Sequence, residues 1–521
     1  MNPQRYPIGQ QDFANIRKEG KVYVDKTELI YNLVNGSSNY IFLSRPRRFG
    51  KSLLLSTIQA YFEGEKELFD GLAITGLEKN WVKHPVLHLE LSRANALDPE
   101  SLKSTIDQQF VIWEKKYDVE DKPSSLSARF ANIIITAHER TGQRVVILID
   151  EYDNPLINSL HHDLIHESNR ELLKAIYSNL KALDRNIRFA MLTGVSRFTR
   201  TSIFSGLNNL TDVTFSDRYS SICGFTLEEI NKFLVDGVSS LAKKKGVTLN
   251  EAFGLLKDAY DGYHFSQAGE DIYNPFSLMK ALEAGEIKSY WVETATPEFL
   301  VKKLKGSHRL LESIFNESVR ETTLREEDTS SSSPVSLLFQ TGYLTIKSYD
   351  PQKMKYRLGI PNREIEHGLF EDLLVSYTGY GRDYGLDLME EMSHSLQSGS
   401  PEDFLSQLRS FLSGIPGIIN PHRIEELNLE NTIYVLMKAM GKLVQAEQQT
   451  SSGRIDLLIK TSHFIYILEL KIDKTAQEAL DQIKRKEYDL PYRFDGRKIF
   501  NIGVNFSSQT RNITDWLIST P

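Results

Sequence analysis

An apolar strand running directly into a Gly-Lys-Ser loop and then a helix limits the fold more than any other stretch of this chain. Tyr40, Ile41, Phe42 and Leu43 form the strand, Ser44–Ser52 reads S-R-P-R-R-F-G-K-S, and Leu53, Leu54 and Leu55 open the helix. That order points backbone N–H groups and the positive end of a helix dipole at one spot, the geometry that holds phosphates. The expected cradle is Arg47, Arg48, Phe49, Gly50, Lys51, Ser52 and Leu53, with Lys51 reaching terminal phosphates and Ser52 ligating Mg²⁺. One position departs from G-x-x-x-x-G-K-[ST], because Arg45 stands where the first glycine would be. The loop is therefore expected to turn there with a β-carbon present, helped by Pro46, which fixes its own φ.

The partner to this loop is Val145–Asp153, V-V-I-L-I-D-E-Y-D. Val145–Ile149 is apolar without interruption, as expected of a strand covered on both faces of a parallel sheet. It ends in Asp150 and Glu151, at the carboxyl edge where such sheets bind ligands. Asp150 is expected to hold the Mg²⁺ shell through water, and Glu151 to orient and deprotonate an attacking water. Gly-Lys-Ser at a helix start and acidic residues at a strand end each arise by chance. Together, in this order and each after an apolar strand, they make ATP and Mg²⁺ the expected cofactors and ATP hydrolysis the expected reaction. Asp153 adds a third carboxylate, read first as the cap of a helix starting around Pro155.

Composition sets outer bounds. The 521 residues leave room for about three domains, and 40% hydrophobic with 25% charged content is ordinary for globular proteins. Net charge is −7, so contact with nucleic acid must come from a local patch and not from a global basic field. The single cysteine, Cys223, excludes an internal disulfide framework and a cysteine-based zinc site, and fits a reducing cytosol. The start, M-N-P-Q-R-Y-P, lacks an apolar signal region, and no run approaches the ~18 apolar residues of a membrane span. The cytoplasm is the expected compartment, with no membrane partner.

Residues 1–222 alternate strand-like and helix-like segments, which argues for an α/β fold around a parallel sheet. Pro85–Leu91 and Asn186–Leu192 are further strands, and the second ends in Thr193–Arg197, where a polar side chain is placed to sense a γ-phosphate. From Gly224 the texture changes to short helices, opening with a capping box of Thr226 and Glu229, and 223–285 is read as a helical lid. Residues 286–400 read as a mixed, mainly helical connecting region, with Arg325–Ser333 as an exposed loop. Residues 401–521 read as a separate α/β domain, and no internal repeat is found.

A second constellation lies in that last part. Gly453–Lys471 reads G-R-I-D-L-L-I-K-T-S-H-F-I-Y-I-L-E-L-K. Ile455–Ile459 and Phe464–Leu470 are apolar strands joined by the turn Lys460–His463, a hairpin. Asp456 begins the first strand, while Glu469 and Lys471, two apart, share a face of the second. Two carboxylates there suit Mg²⁺, and the lysine suits a water attacking a phosphodiester. E-x-K is common, and a surface hairpin with ordinary charges is the plain alternative. Against it, the charges interrupt apolar strands. Helix Ile424–Met440, strand Val444–Gln448, the hairpin, helix Thr475–Glu487 and strand Ile499–Val504 also give α-β-β-β-α-β, the core of one known nuclease superfamily. The later helix carries Gln482, Lys484, Arg485 and Lys486, with Tyr488 just past its end. Such a cluster is more often a solvated face than a DNA contact, and formal charge across 421–521 is close to neutral.

The two halves together resemble the bacterial AAA-ATPase-like family, in which an R-P-R-R-F-G-K-S ATPase precedes a PD-(D/E)XK nuclease-like domain. The matching segments are Tyr23–Thr27 (Y-V-D-K-T), Ser44–Ser52, L-I-D-E-Y-D, T-G-V-S-R-F with Ser202–Leu210, Tyr260–Phe265, Tyr273–Leu278, Leu337–Leu344, G-R-I-D, E-L-K and Ile502–Ser507. They cover nearly the whole chain. The resemblance implies that the missing glycine is a family trait. It also implies that Asp456, Glu469 and Lys471 occupy catalytic positions, with the two carboxylates as metal ligands and Gln482 assisting. An upstream acidic ligand, Glu426 or Glu430, is left open. Arg197 and Arg200 follow the strand where related ATPases place an arginine finger, which sets Arg197 beside the nucleotide.

Readings from different classes remain. One is an ATPase coupled to a metal-dependent nuclease, acting in defence against mobile DNA or in DNA processing. Another is an ATP-driven switch whose C-terminal domain binds nucleic acid or a partner without cutting. A structural module with a degenerate loop is disfavoured by intact Lys51, Ser52, Asp150 and Glu151. The expected partner is nucleic acid, DNA first with RNA open, and a homo-oligomer is also left open.

Overall fold

Five strands pair into the N-terminal sheet: the mainly apolar β1 (Tyr40–Ser44), β2 (Val86–Glu90), β3 (Val145–Asp150) and β4 (Ile187–Gly194), and the short polar edge strand β5 (Thr211–Asp212). Their order is β2-β3-β4-β1-β5 and every neighbouring pair is parallel. Every residue of β1 and β3 is buried, as uninterrupted apolar runs require. Helices Pro99–Lys116, Leu126–Thr141 and Asp163–Ala182 build a core with β2, β3 and β4, in which the Phe110 and Phe130 rings stack 5.4 Å apart. Because the strands are parallel, the carboxyl ends of β1, β3 and β4 open on one edge, and the helix Lys51–Phe62 starts there.

This computed structural model describes all residues except 1–3, 93–97, 160–161, 197–208, 292–297, 308, 310, 326–332, 380–381, 416–423, 441–443, 451–452 and 511. For 99, 298–299, 302, 306, 382–386, 424–430, 444–450 and 453–454 it describes the backbone alone. The chain divides into two compact units, Met1–Glu293 with Glu317–Arg363, and Thr294–Asn316 with Glu364–Pro521. The connecting region expected at 286–400 is thus shared between both. Its part in the first unit holds a small antiparallel sheet, β6 (Ser318–Val319), β7 (Thr345–Asp350) and β8 (Lys355–Gly359), ordered β6-β8-β7. These strands are short and only partly covered, so no sustained alternation marks them in sequence.

Residues 223–285 hold helices Leu227–Phe233, Val235–Lys245, Leu249–Tyr260 and Pro275–Ala284. The capping box of Thr226 and Glu229 forms, and a second joins Thr248 to Glu251. These helices pack around Tyr6 and Val24 from the chain start.

In the second unit β9 (Val444–Thr450), β10 (Gly453–Lys460), β11 (Phe464–Ile472), β12 (Lys498–Ser507) and β13 (Asn512–Ser519) form one sheet, ordered β13-β12-β11-β10-β9. The helix Ile424–Ala439 precedes it, and Ala476–Arg485 makes the crossover between the parallel strands β11 and β12. That is the expected α-β-β-β-α-β core with one antiparallel edge strand, β13, added. Gly503 on β12 lets the crossover helix lie against the sheet, since a Cβ there would meet the Ala476 carbonyl at 2.2 Å. Among the described residues no helix is long and apolar enough to cross a membrane.

Candidate functional site

The loop after β1 turns at residues other than the one expected. Arg45 keeps an ordinary φ, and the left-handed positions are Arg48 (φ 68°) and Gly50 (φ 94°). Arg45 points inward, 1% exposed, and donates to the carbonyls of Ser44 and Thr214 at 2.9 Å, of Tyr219 at 3.3 Å and of Ser220 at 3.4 Å. Its guanidinium lies 4.3 Å from the Phe265 ring centroid, and burial holds its pKa down to about 10. The missing glycine is therefore a structural arginine that stitches the loop to the 214–220 segment. Phe49 is buried in edge contact with Tyr263 at 4.7 Å and Phe265 at 5.4 Å, and Arg48 lies over Phe276. Trp291 Nε1 donates to the Arg47 carbonyl at 3.1 Å.

Lys51 starts the helix and is buried, with Nζ donating to the carbonyls of Arg45 (3.0 Å) and Pro46 (3.1 Å). Burial lowers its pKa, and the carboxylates of Asp150, Glu151 and Asp153 oppose that shift. Across the sheet edge, Asp150 Oδ1 accepts from the Thr193 hydroxyl at 2.6 Å and the Glu151 N–H at 3.0 Å. Glu151 adopts φ 51°, a left-handed backbone that costs a non-glycine residue on the order of 1–2 kcal/mol. Its carboxyl pKa is raised by burial and lowered by Lys51, while Asp150 and Asp153 push it further up. A cavity of about 410 Å³ is lined by Arg47–Leu54, Glu151, Cys223 and Phe276 among others. Ser52, Asp150 and Glu151 offer oxygen donors alone, which suits Mg²⁺, and Lys51 with the loop amides suits phosphate.

Two readings of this edge need correction. Asp153 precedes the helix Asn154–Ile157 without capping it through its side chain. Its Oδ2 instead accepts from Val195 N (2.9 Å), Ser196 N (2.5 Å) and Ser196 Oγ (2.7 Å), tying the end of β3 to the end of β4. Pro46 and Arg45 do not make the left-handed turn of the loop; Arg48 and Gly50 do. Of the polar residues at Thr193–Arg197, where one was expected to sense phosphate, Thr193 bonds Asp150 and Ser196 bonds Asp153. Asn274 caps the helix Pro275–Ala284, accepting from Phe276 N and Ser277 N, while neighbouring Pro275 and Phe276 line the cavity that Lys51 lines. Arg197 and Arg200 lie outside the described residues.

The second site is assembled by cross-strand register. Leu458 pairs with Ile467, and two residues back along β10 and two onward along β11 the antiparallel register puts Asp456 and Glu469 on that same face. Glu469 stands beside Gly503 on β12, and the closely seated crossover helix delivers Gln482 to it. Glu469 is 1% exposed; its Oε1 accepts from Lys471 Nζ at 2.9 Å and from Gln482 Nε2, and its Oε2 has no hydrogen-bond partner among the described residues. Asp456 Oδ2 accepts from Leu470 N at 2.8 Å. Burial and the Asp456 charge push the Glu469 carboxyl up to about 7, against the pull of Lys471 and Gln482. A buried carboxylate oxygen without a donor among the described residues, on a group that feels the charge of a second carboxylate, is a fit for a divalent cation. Among the described residues no group of three or more His, Cys, Asp or Glu side chains could hold a metal. The side chains of Glu426 and Glu430 lie outside the described ones, so that choice stays open.

Comparison with known proteins agrees with both geometries. A family model described as predicted AAA-ATPase matches residues 7–204, and that of the PD-(D/E)XK nuclease superfamily matches 424–516. An Azotobacter chroococcum mcd 1 protein, named an uncharacterized protein in the vnfD 5′ region, is 33% identical over 537 residues and aligns over 100% of both chains. The chain belongs to the AAA-ATPase-like family with a C-terminal PD-(D/E)XK nuclease superfamily domain.

In this AAA-ATPase-like chain several residues around the sites escaped the sequence reading. Lys26, in the Y-V-D-K-T segment, is buried and donates to Glu229 at 2.6 Å and to the Ser221 carbonyl at 2.7 Å. Its signal was a lysine inside a recurring family segment, with nothing to name its partner. Trp291 gave no signal, because its contact is to a backbone carbonyl far off in sequence.

Proposed function

We propose that the protein binds and hydrolyses ATP with Mg²⁺ in its first unit and cleaves nucleic acid, DNA first, with a divalent ion in its second. The observation that carries the second half is Glu469: a buried carboxylate of raised pKa, held on one oxygen by Lys471 and Gln482 and bare on the other. An ion held by Asp456 and Glu469 would polarise a phosphodiester and lower the pKa of water bound to it. Lys471, paired to Glu469, is placed to offset the charge that builds on the phosphate during attack. Gln482 holds one oxygen of the Glu469 carboxylate, beside the charge of Asp456. In the first unit Lys51 supports phosphate binding, and Glu151, with its raised pKa, is suited to take a proton from water. Thr193 and Asp153 hold Asp150 and the β4 end in place. Defence against mobile DNA or DNA processing is the proposed setting, with the cytoplasm as compartment.

The deciding experiment incubates the full chain with plasmid, linear DNA and RNA, with Mg²⁺ or Mn²⁺, with and without ATP. Cleavage lost in Glu469→Gln supports the reading. Nucleic-acid binding with no cleavage under any metal would replace it by an ATP-driven switch.

A further inference from the structure

Phe494 is 99% exposed, the most exposed large apolar side chain described in this chain. It does not sit on a slack loop. Arg493 grips Asp489 through two bonds, Nε to Oδ2 at 2.9 Å and Nη2 to Oδ1 at 3.2 Å. On the other side Arg497 grips Asp495 through two bonds and reaches the Thr461 carbonyl at 2.9 Å. Asp495 N closes a turn on the Tyr492 carbonyl at 3.0 Å, and Tyr492 carries Lys460 at 4.7 Å over its ring. The backbone is thus braced on both flanks while the ring points into water.

The stretch of chain that carries Phe494 is basic. Between 484 and 498 six Lys and Arg side chains stand against three carboxylates, in a domain close to neutral overall. Lys484, Arg485 and Lys498 are exposed. Lys498 pairs with Phe464, five positions before Glu469 on β11, so the knuckle lies about 17 Å along the strand from the carboxylate site.

We infer that the Leu490–Lys498 knuckle is a nucleic-acid docking surface, with an unpaired base stacking on Phe494 and phosphates meeting Lys484, Arg485 and Lys498. An aromatic face among cations is the pairing single strands recognise, since every base has a π-face and every phosphate a charge. The distance to Glu469 gives the strand a few nucleotides between the stacked base and the scissile bond. This surface rests on the nuclease reading and supplies it with a strand-holding element outside the metal site.

The test uses the full chain in EDTA, so that nothing is cut, and the anisotropy of a labelled single strand about 20 nucleotides long. Phe494→Ala is expected to weaken binding about 5- to 150-fold, and Phe494→Trp to retain it. The dependence of log K on log salt should stay unchanged in Phe494→Ala and flatten in Lys484→Ala with Arg485→Ala. A denaturant-unfolding transition of the second unit equal to wild type certifies folding of each variant. Phe494→Ala binding as wild type does, while Glu469-dependent cleavage persists, overturns this surface and leaves the nuclease reading standing. Wild type that binds no strand also overturns this surface, whereas the nuclease reading falls only if plasmid, linear DNA and RNA all stay uncut with Mg²⁺ and Mn²⁺. Phe494-dependent binding to anionic vesicles with no strand binding would assign the knuckle to a membrane instead.

Discussion

Glu469 offers the sharpest physical test, because its environment sets the sign of a pH effect that an ordinary surface carboxylate would not show. Its pKa is raised from 4.5 to about 7 by burial and by Asp456. The folded state therefore holds its proton more tightly than the unfolded state between those values. Stability that the neutral carboxyl provides is present below the unfolded pKa and is lost progressively as pH rises through about 4.5 to 7. Integrating the two titrations between about pH 5 and pH 8 gives a loss of about 2.5 kcal/mol. Glu469→Gln removes that titration while keeping an acceptor for the Gln482 amide. Lys471, 20% exposed, loses a charged partner that is 1% exposed but keeps the Gln carbonyl as a neutral acceptor, which costs about 1 kcal/mol.

The assay is chemical unfolding of the metal-free full chain in EDTA, following the transition of the second unit at both pH values. Near pH 5 the variant should be equal to wild type or slightly weaker. Near pH 8 it should be more stable than wild type by about 1–2 kcal/mol, although it can no longer support metal-dependent cleavage. Adding Mg²⁺ or Mn²⁺ should stabilise wild type increasingly up to about pH 7, because the ion must displace the proton, and leave the variant unmoved. A wild type and variant with parallel pH profiles would refute the reasoning, since Glu469 would then titrate as a solvated carboxylate.

Three further outcomes follow from the same geometry. Lys51→Ala should abolish tight ATP binding by calorimetry, whereas Glu151→Gln should bind ATP and lose turnover. Asp456→Ala should remove nucleic-acid cleavage with ATP hydrolysis retained, and Lys471→Ala should slow cleavage with a smaller loss of metal affinity, read by titrating Mn²⁺. Arg45→Gly restores the common loop motif in sequence, yet it should destabilise the first unit by about 3 kcal/mol or more in denaturant unfolding, because four carbonyls lose their donor; a variant as stable as wild type would show that the guanidinium contributes nothing net.

What could be read from sequence was what has a period or a local partner. The apolar runs at 40–43 and 145–149 dictated β1 and β3, the Thr226–Glu229 spacing dictated a cap, and the E-L-K spacing dictated a shared face. Arg45 was read as a backbone problem because its partners, Thr214, Tyr219 and Ser220, lie far along the chain. Asp153 was read as a helix cap for the same reason: local capping is the pattern a sequence displays, and the three donors at 195–196 are visible only once β3 and β4 are neighbours. The edge strand β13 escaped because N-I-T-D-W-L-I-S is mostly uncovered and so carries no sustained apolar alternation.

The two sites differ in how they stand without ligand, and that difference bears on which one is rigid. Lys51 is already out of water, satisfied by two carbonyls of its own loop. Entry of a phosphate exchanges neutral acceptors for anionic ones, which strengthens each bond without a fresh desolvation cost for the ammonium. Glu469 is also out of water, but half of its carboxylate has no donor, and a bare buried oxygen is costly. Its relief comes from a proton below about pH 7 or from a cation above it. On the proposed reading the first site accepts its ligand from a satisfied resting state, whereas the second carries, among the described residues, a deficit that an ion or a proton would fill. A deficit of that kind survives in a folded domain only where the surrounding packing outweighs it. Gly503 and the crossover helix seated on it supply that packing at the point where Glu469 needs it.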